Sequence, residues 1–479
     1  MRVTLGLFVI LGVPLIAAAQ DDPLVGAVVL PRSPEVELRT EDGASLGPWR
    51  ASAARVAKVA PSGRVFVVNL YPAGSGGSWT RRADVVKLAD AVAHFGGYIR
   101  NEADDPWGYD MRAQAYSQLR EHAKAAADLT EAIRLEPSAD RYVVRGNQYS
   151  DLKENAKAIA DYTAALRLDP NDYYALVNRG RVRSLAGDGA KAETDLNKAA
   201  RLRPGDPIAF NERGLMWDRR GEFDRAVTDF TEAIRLNKTF AEAFANRGYA
   251  EMGRRDHAAA VDDYTRAIRL VPTNADYRYH RGFANVVLKE TEMALVDFAE
   301  ATRLNPADPR PYISRGDIRR QQKDTEKAIA EYTGAIRAAP KAVDGYVRRA
   351  GVWDTAGDFG KAIPDYEEAI RVAPEVQQPY NALAWIRATC PEAKHRDGTK
   401  AVALATKLCE LSAGKVADHL DTLAAAQAEA GDFDDAVATQ KRALALPGTA
   451  EALTREYRER LKLYEAERPF RQPARAKKQ

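Results

Sequence analysis

Apolar and small residues recur three or four positions apart along most of the chain, a spacing that predicts amphipathic helices. Residues 241–274 are typical. Ala260, Tyr264 and Ala267 fall on one face of a 3.6-residue period. A similar helical stretch precedes them across a glycine-containing turn, and Pro272 ends the second helix because proline cannot continue a helix interior. The pattern predicts two antiparallel helices in each segment of this kind.

The same segment repeats along the chain at a constant step of 34 residues. An arginine marks each copy: Arg145, Arg179, Arg213, Arg247, Arg281, Arg315 and Arg349. Glycine follows six of these arginines, and Ala350 follows the last. Alanines stand 12 and 19 positions beyond each small residue. Self-similarity at this period predicts a stacked array of helical hairpins.

The small residues allow close approach of helix backbones: Gly248 and Ala260 within a hairpin, Ala267 against the next. With the aromatic residue Tyr264 and a terminal proline, the set resembles the tetratricopeptide repeat. Seven strong copies are flanked by one earlier copy and two looser later ones, of which the copy near 375–411 is degenerate. The resemblance implies a mainly α fold over residues 106–448: an α-solenoid, a right-handed superhelix of about ten antiparallel helix pairs.

An acidic residue follows each arginine by sixteen positions: Asp161, Asp195, Asp229, Asp263, Asp297, Glu331 and Asp365. One interpretation is a charged stripe for an acidic or phosphorylated partner. The other is a series of internal ion pairs that fixes the register of each hairpin. Equal and opposite series favour ion pairs, because a binding stripe does not need the acids. The sequence leaves their burial open, and burial decides what they contribute.

The N-terminal region differs from the repeats. Short β-prone runs separated by turn signals predict a small all-β barrel over residues 22–88. Its final stretch, Trp79 to Val86, resembles the close of bacterial SH3-like domains, and we expect Trp49 and Trp79 in the barrel core. Residues 89–105 are expected to form a linking helix.

Residues 1–19 carry a positive start, an apolar run and a small-residue site, which predicts a signal peptide cleaved after Ala19. An uncleaved membrane anchor is the alternative, but the run is short for a bilayer span. We therefore expect an exported protein, periplasmic or secreted. Two cysteines, Cys390 and Cys409, are predicted to be unpaired buried thiols, because helical geometry places them roughly 15 Å apart.

After the array, residues 449–467 predict a capping helix with Leu453, Tyr457, Leu461 and Tyr464 on one face. Residues 468–479 predict a basic disordered tail. Over the whole chain 71 basic and 68 acidic residues nearly balance, which disfavours a nucleic-acid partner. The histidines and acids show no catalytic or metal-ligand spacing, and His280 is expected at the surface or an interface. We expect no enzyme activity and no cofactor.

The resemblance implies an inner groove lined by the first helix of each hairpin. Carried onto this chain, it assigns these candidate ligand-binding residues: Tyr174, Arg181, Asn211, Asp218, Tyr249, Met252, Tyr279, Phe283, Arg310, Asp317 and Arg320. The expected function is a scaffold that binds a protein or peptide segment of unknown identity. The alternative is a cell-wall-binding or accessory enzyme role of the N-terminal domain.

Overall fold

The structure is a computed structural model, and it describes residues 24, 27–39, 44–48, 54–59, 64–69, 78–81, 85–447 and 450–473. The predicted signal peptide, residues 1–19, and Trp49 lie outside these residues, as does the side chain of Trp79. The described strands are β1 Val28–Pro31, β2 Glu37–Arg39, β3 Ser45–Pro48, β4 Ala54–Val59, β5 Arg64–Asn69, β6 Ser78–Arg81 and β7 Val85–Lys87.

These strands form one antiparallel sheet in the order β3-β2-β6-β5-β4-β1-β7. Its core contains Val29, Val56, Val67 and Val85, all buried. The N-terminal region is therefore rich in β structure, whereas its assignment as an SH3-like barrel stays a prediction.

The remainder of the described chain is mainly helical. The helices are α1 Leu88–Asn101, α2 Pro106–Gln118, α3 His122–Leu135, α4 Ala139–Asp151, α5 Asn155–Leu168, α6 Tyr173–Leu185, α7 Gly189–Leu202, α8 Pro207–Arg219, α9 Phe223–Leu236, α10 Ala241–Gly253, α11 His257–Leu270, α12 Ala275–Val287, α13 Thr291–Leu304, α14 Pro309–Gln321, α15 Thr325–Ala338, α16 Val343–Thr355, α17 Phe359–Val372, α18 Gln377–Thr389, α19 Gly398–Leu411, α20 Ala417–Ala430, α21 Phe433–Ala445 and α22 Glu451–Glu465. In the part of the chain that the structure describes, no helix combines the length and apolarity needed to span a membrane.

The chain divides into two compact units between Lys238 and Thr239. The first unit contains the sheet, α1 and the helix pairs from α2–α3 to α8–α9. The second contains the pairs from α10–α11 to α20–α21, followed by α22. Within each unit the two helices of a pair pack against each other, and successive pairs are in contact. The predicted fold class, mainly helical with solenoid-like packing of helix pairs, is confirmed.

Close packing inside several hairpins requires the glycine of the first helix. A Cβ atom on Gly214 would lie 2.7 Å from the ring of Phe230, and one on Gly282 would lie 2.8 Å from Phe298. Both phenylalanines are fully buried. Any larger residue at these glycines would push the second helix away, because a packed interior has no room to absorb the added atoms.

The C-terminal residues follow a different course from the predicted disordered tail. The helix α22 buries Tyr457 and Tyr464. After it, residues 468–473 run back without helical or strand structure and pack on the second unit, with Gln472 buried. The prediction of disorder from Arg468 onward is therefore wrong for residues 468–473. Cys390 and Cys409 are unpaired, as predicted, although only Cys390 is fully buried.

Candidate functional site

The arginines that mark the repeat form internal ion pairs. Arg281 donates from Nε and Nη2 to the two carboxylate oxygens of Asp297, at 2.8 and 2.6 Å. The same two-bond geometry joins Arg145–Asp161, Arg179–Asp195, Arg213–Asp229, Arg247–Asp263 and Arg349–Asp365. Arg315 pairs with Glu331 through Nη2. The internal ion pairs favoured by the sequence are confirmed, and we call this set the arginine ladder.

The ladder extends one hairpin further toward the N-terminus than the sequence indicated. Arg112 and Asp128 make the same two bonds, at 2.8 and 2.6 Å. The acids of the ladder are mostly buried, whereas the arginines are partly exposed. Burial raises the pKa of Asp263, and the hydrogen bonds from Arg247 oppose that rise. The arginine is therefore what keeps the buried carboxylate charged.

Several arginines of the ladder also reach the preceding hairpin. Arg281 Nη1 donates to Thr265 Oγ1 at 3.0 Å, and Arg349 Nη1 donates to Thr333 Oγ1 at 2.9 Å. Arg213 uses the oxygen of Asn197 in the same way, at 2.7 Å. One guanidinium thus fixes its own hairpin and links it to the one before. The sequence analysis missed this third contact, although a threonine or asparagine sixteen residues before these arginines is a readable signal.

Beside the ladder, the first helices present a second set of side chains. We define the groove face as the first-helix positions one and four residues after the small residue. In the first unit these positions include Arg181, and in the second they include Tyr249, Met252, Phe283 and Asp317. Successive first helices contact each other within a unit, for example α6 with α8 and α10 with α12. The groove-face residues of neighbouring hairpins consequently lie side by side.

Some groove-face positions are used to join hairpins. Asp317 accepts a hydrogen bond from Tyr332 Oη at 2.8 Å and one from Arg348 Nη1 at 2.7 Å. In the first unit Asn147 accepts from Asn178 Nδ2 at 3.0 Å, across the same spacing of 31 residues. Asp317, predicted as a binding residue, is thus held in a structural network. Arg348 and the two asparagines of this second link were missed by the sequence analysis.

Tyr249 and Phe283 differ from these positions because they are aromatic and open. Tyr249 is 49% exposed and Phe283 is 48% exposed, at equivalent positions of α10 and α12. Val286, three residues beyond Phe283, is also exposed. Monomeric proteins seldom leave large apolar side chains grouped at the surface without a use for them.

The ring of His280 contacts the ring of Tyr249. The His280 ring stacks on Tyr264 at 5.8 Å between centroids and meets the rings of Tyr249 and Tyr279 edge-on at 6.2 and 5.3 Å. Burial lowers the pKa of His280 to about 4, so the ring is neutral near pH 7. His280 is therefore part of an aromatic cluster rather than a freely exposed surface residue.

The other predicted residues are placed as follows. Tyr174 is 48% exposed and lies beside the guanidinium of Arg203, whereas Asn211 is buried. Arg181 and Asp218 are half-buried, and Arg320 is exposed.

The remaining predicted residues make packing or ionic contacts. Met252 packs against the cluster of Ala260 and Tyr264, and Tyr279 packs against Phe298. Arg310 pairs with Asp276 and Asp308 and lies over the Tyr279 ring. Their roles in ligand binding stay predictions.

With this geometry established, comparison with known proteins identifies the repeats. The tetratricopeptide repeat family profile matches residues 143–207, 218–275 and 291–343, and a second profile of the same description matches residues 108–138. These matches confirm the predicted tetratricopeptide repeats. Proteins with this fold are generally non-catalytic scaffolds for protein interactions.

Solved structures with similar folds include a tetratricopeptide repeat protein from Parabacteroides merdae, with 19% identity over 49% of this chain and 93% of that chain, at a TM-score of 0.41. Yeast Tom70 has 16% identity over 75% of this chain and 96% of its own, at a TM-score of 0.33. YrrB, described as having an unusual peptide-binding site, has 22% identity over 40% of this chain and 98% of its own, at a TM-score of 0.32. No curated protein sequence matches the chain.

Among the described residues, no group of three or more histidine, cysteine, aspartate or glutamate side chains could hold a metal ion. His280, whose pKa is strongly lowered, is surrounded by aromatic rings. The charged groups that influence its pKa are Asp276, Asp308 and Arg310, which form ion pairs with one another. What this arrangement offers is an apolar contact surface.

Proposed function

We propose that the protein is a non-catalytic interaction scaffold that binds an extended peptide or protein segment on the groove face of its second unit. The binding centre is formed by Tyr249 and Phe283. The observation that carries this proposal is their half-exposure at equivalent positions of neighbouring first helices. Aromatic side chains on a rigid support are frequent anchors of interfaces, because they bury much area for little loss of conformational entropy.

The charged side chains nearby are poor candidates for the same role. Arg281 and Arg315 point into ion pairs with Asp297 and Glu331, and Asp317 is bound by Arg348. A partner would have to break those pairs before it could use the charges. The free energy of binding is therefore expected to come mainly from apolar contact with the aromatic rings, with exposed Arg320 available at one side.

We also propose that the scaffold is exported to the periplasm or secreted. The support is the apolar run and small-residue site within residues 1–19. The partner is then a protein or peptide of the envelope or the exterior. Detection of the chain with its N-terminus at Gln20 in a periplasmic or secreted fraction tests this part of the proposal.

The binding proposal is tested with the double variant Tyr249→Ala/Phe283→Ala in the full-length chain. Partners are first cross-linked to the wild-type protein in its native cell and identified, and their affinity for each variant is then measured. Loss of two anchors is expected to weaken binding by about tenfold to a hundredfold. Helical circular dichroism is expected to stay unchanged, because both side chains project from the surface.

The matched control is Met293→Ala/Val296→Ala on α13, which removes two exposed apolar side chains from a second helix. Their exposures are 57% and 68%. This control is expected to bind as the wild type does. Equal binding by the wild type and the Tyr249/Phe283 variant would contradict the proposed site.

A further inference from the structure

The groove face of the last two hairpins is covered, unlike that at Tyr249 and Phe283. Ala384 is the small residue of α18, because it follows Ala350 by 34 positions. Trp385 and Ala388 therefore occupy the groove-face positions of this helix. On α20, Glu429 lies in the last turn. The helices α18 and α20 are in contact, so these residues form one surface.

Residues 468–473 of the same chain lie on this surface. The ring of Phe470 packs against that of Trp385, with 5.8 Å between centroids. The guanidinium of Arg460, from α22, lies 5.4 Å from each of these two rings. The Trp385 ring, which corresponds in position to Tyr249, is thus covered by an aromatic residue of the C-terminal segment.

Polar contacts complete the attachment. The backbone nitrogen of Gln472 donates to the carbonyl of Thr389 at 3.0 Å, and Arg471 Nη1 donates to the carbonyl of Ala388 at 3.4 Å. These carbonyls belong to the last turn of α18, where the helix itself provides no donors. Arg471 also forms an ion pair with Glu429, which accepts from Arg396 on its other oxygen.

These contacts are of the kind a peptide ligand makes. The segment has no secondary structure of its own, and it is attached through one ring, one guanidinium and one main-chain donor. The helix α22 covers α21 and buries Tyr457 and Tyr464, and the Phe470 ring of the segment packs against the hydrophobic cluster that contains Tyr464.

We infer that the groove face of α18 and α20 is a binding site for an extended segment in which an aromatic residue is followed by arginine, and that residues 468–473 fill it as an internal ligand. Trp385 recognises the aromatic ring, Glu429 recognises the guanidinium, and the carbonyls of Ala388 and Thr389 fix the main chain. A partner segment of the same chemistry competes with the internal one. Access to this site is consequently controlled by the chain's own C-terminal residues.

The test uses the full-length chain with Phe470→Ala/Arg471→Glu, which removes the ring and places a negative charge against Glu429. The probe is a labelled synthetic peptide with the native sequence of residues 467–479. We expect the peptide to bind this variant at least about tenfold more tightly than the wild type, whose site is filled. A peptide carrying the same two substitutions is the control and is expected to bind neither protein.

Failure of the native peptide to bind the variant would overturn the inference, as would equal binding to variant and wild type. If the double variant loses helical circular dichroism, Arg471→Glu alone replaces it, because this side chain is attached at the surface and its loss leaves the ring contact in place. The Tyr249/Phe283 variant provides a separate comparison. It retains α18 and α20 intact, so the result for one site does not decide the other.

Discussion

The arginine ladder and the groove face occupy the same first helices, but their sequences vary to very different extents. The groove-face positions lie two and five residues after the arginine. Arginine holds the ladder position in every strong copy. The groove-face position two residues later differs from copy to copy: it carries Asn147, Arg181, Leu215, Tyr249, Phe283, Asp317 and Gly351 in these copies, and Trp385 in α18. The ladder joins partly exposed arginines to buried carboxylates, whereas the groove face meets solvent, a neighbouring hairpin or the C-terminal segment. The comparison indicates that the uniform position carries the fold, and it supports our proposal that the variable position serves recognition.

The uniform use of arginine at the ladder position has an energetic basis. A carboxylate as buried as Asp297 is costly to desolvate, and a two-bond guanidinium partner with a third bond to the previous hairpin offsets that cost. Few other side chains provide donors in this arrangement. At the groove face, by contrast, many residue types are compatible with a half-exposed surface, so sequence there is available for binding.

The largest expected effect comes from breaking one pair of the ladder. Asp297→Ala leaves the Arg281 guanidinium partly buried without its carboxylate, and we expect a loss of about 3–5 kcal/mol in the free energy of unfolding. Urea unfolding followed by helical circular dichroism measures it. The double variant Arg281→Met/Asp297→Leu is expected to recover much of the loss, since no charge is then left without its partner.

The control for this prediction is Glu300→Ala on the same helix. Glu300 pairs with Arg303 at 2.7 Å, but this pair lies at the surface. No measurable change in stability is expected, because exposed pairs are screened by water and salt. A loss for Glu300→Ala as large as for Asp297→Ala would contradict the distinction between ladder and surface pairs.

A smaller, pH-dependent effect is expected beside the groove face, at His280. Its pKa is about 4 in the folded chain and about 6.5 when unfolded, so the folded state favours the neutral ring. The resulting stability is complete above about pH 6.5 and is lost as the pH falls toward 4. At about 1.4 kcal/mol per pKa unit, the loss is at most about 3.5 kcal/mol.

His280→Asn isolates this effect, since asparagine stands at the same repeat position in Asn178. The neighbouring Asp276, Asp308 and Arg310 remain in both proteins, so their own titration cancels in the difference. The unfolding free energy of the variant is expected to fall less between about pH 7 and pH 4.5 than that of the wild type. Parallel pH profiles would show that His280 is not buried enough to matter.

The smallest expected effect concerns Arg315, which lacks the usual acceptor in the preceding hairpin. Ala299 takes the place where Thr265 and Thr333 accept from the following arginine, and Arg315 instead reaches Thr302 at 3.4 Å. Ala299→Thr restores an acceptor. We expect it to be more stable than the equal-sized Ala299→Val by about 1 kcal/mol in urea unfolding. Equal stabilities of the Ala299→Thr and Ala299→Val variants would show that the bond from the arginine to the preceding hairpin does not stabilise the fold.

The repeat period in the sequence predicted the contacts that lie within one hairpin. The hairpins, the glycine contacts and the pairing of Arg281 with Asp297 all lie within one repeat, where a spacing of sixteen residues across a hairpin implies proximity. Links between hairpins were missed, such as those of Arg281 with Thr265 and Arg348 with Asp317. They depend on the offset between stacked hairpins, which the period does not contain.

The C-terminal segment shows a second limit of the sequence. Basic residues and prolines after α22 are typical of a solvated tail, and the composition alone predicted disorder. The segment packs because Trp385, Glu429 and two helix-end carbonyls, 40 or more residues earlier in the chain, match its side chains. A single sequence gave no means of pairing those residues with Phe470 and Arg471.

The most direct test of recognition at the groove face places a photo-activated cross-linking amino acid at one position at a time in the full-length chain. Position 283 lies on the groove face, and position 296 lies on the exposed side of α13 in the same hairpin. We predict that partners identified in the native cell cross-link through position 283 and not through position 296. Cross-linking at 296 with none at 283 would contradict the assignment of recognition to the groove face.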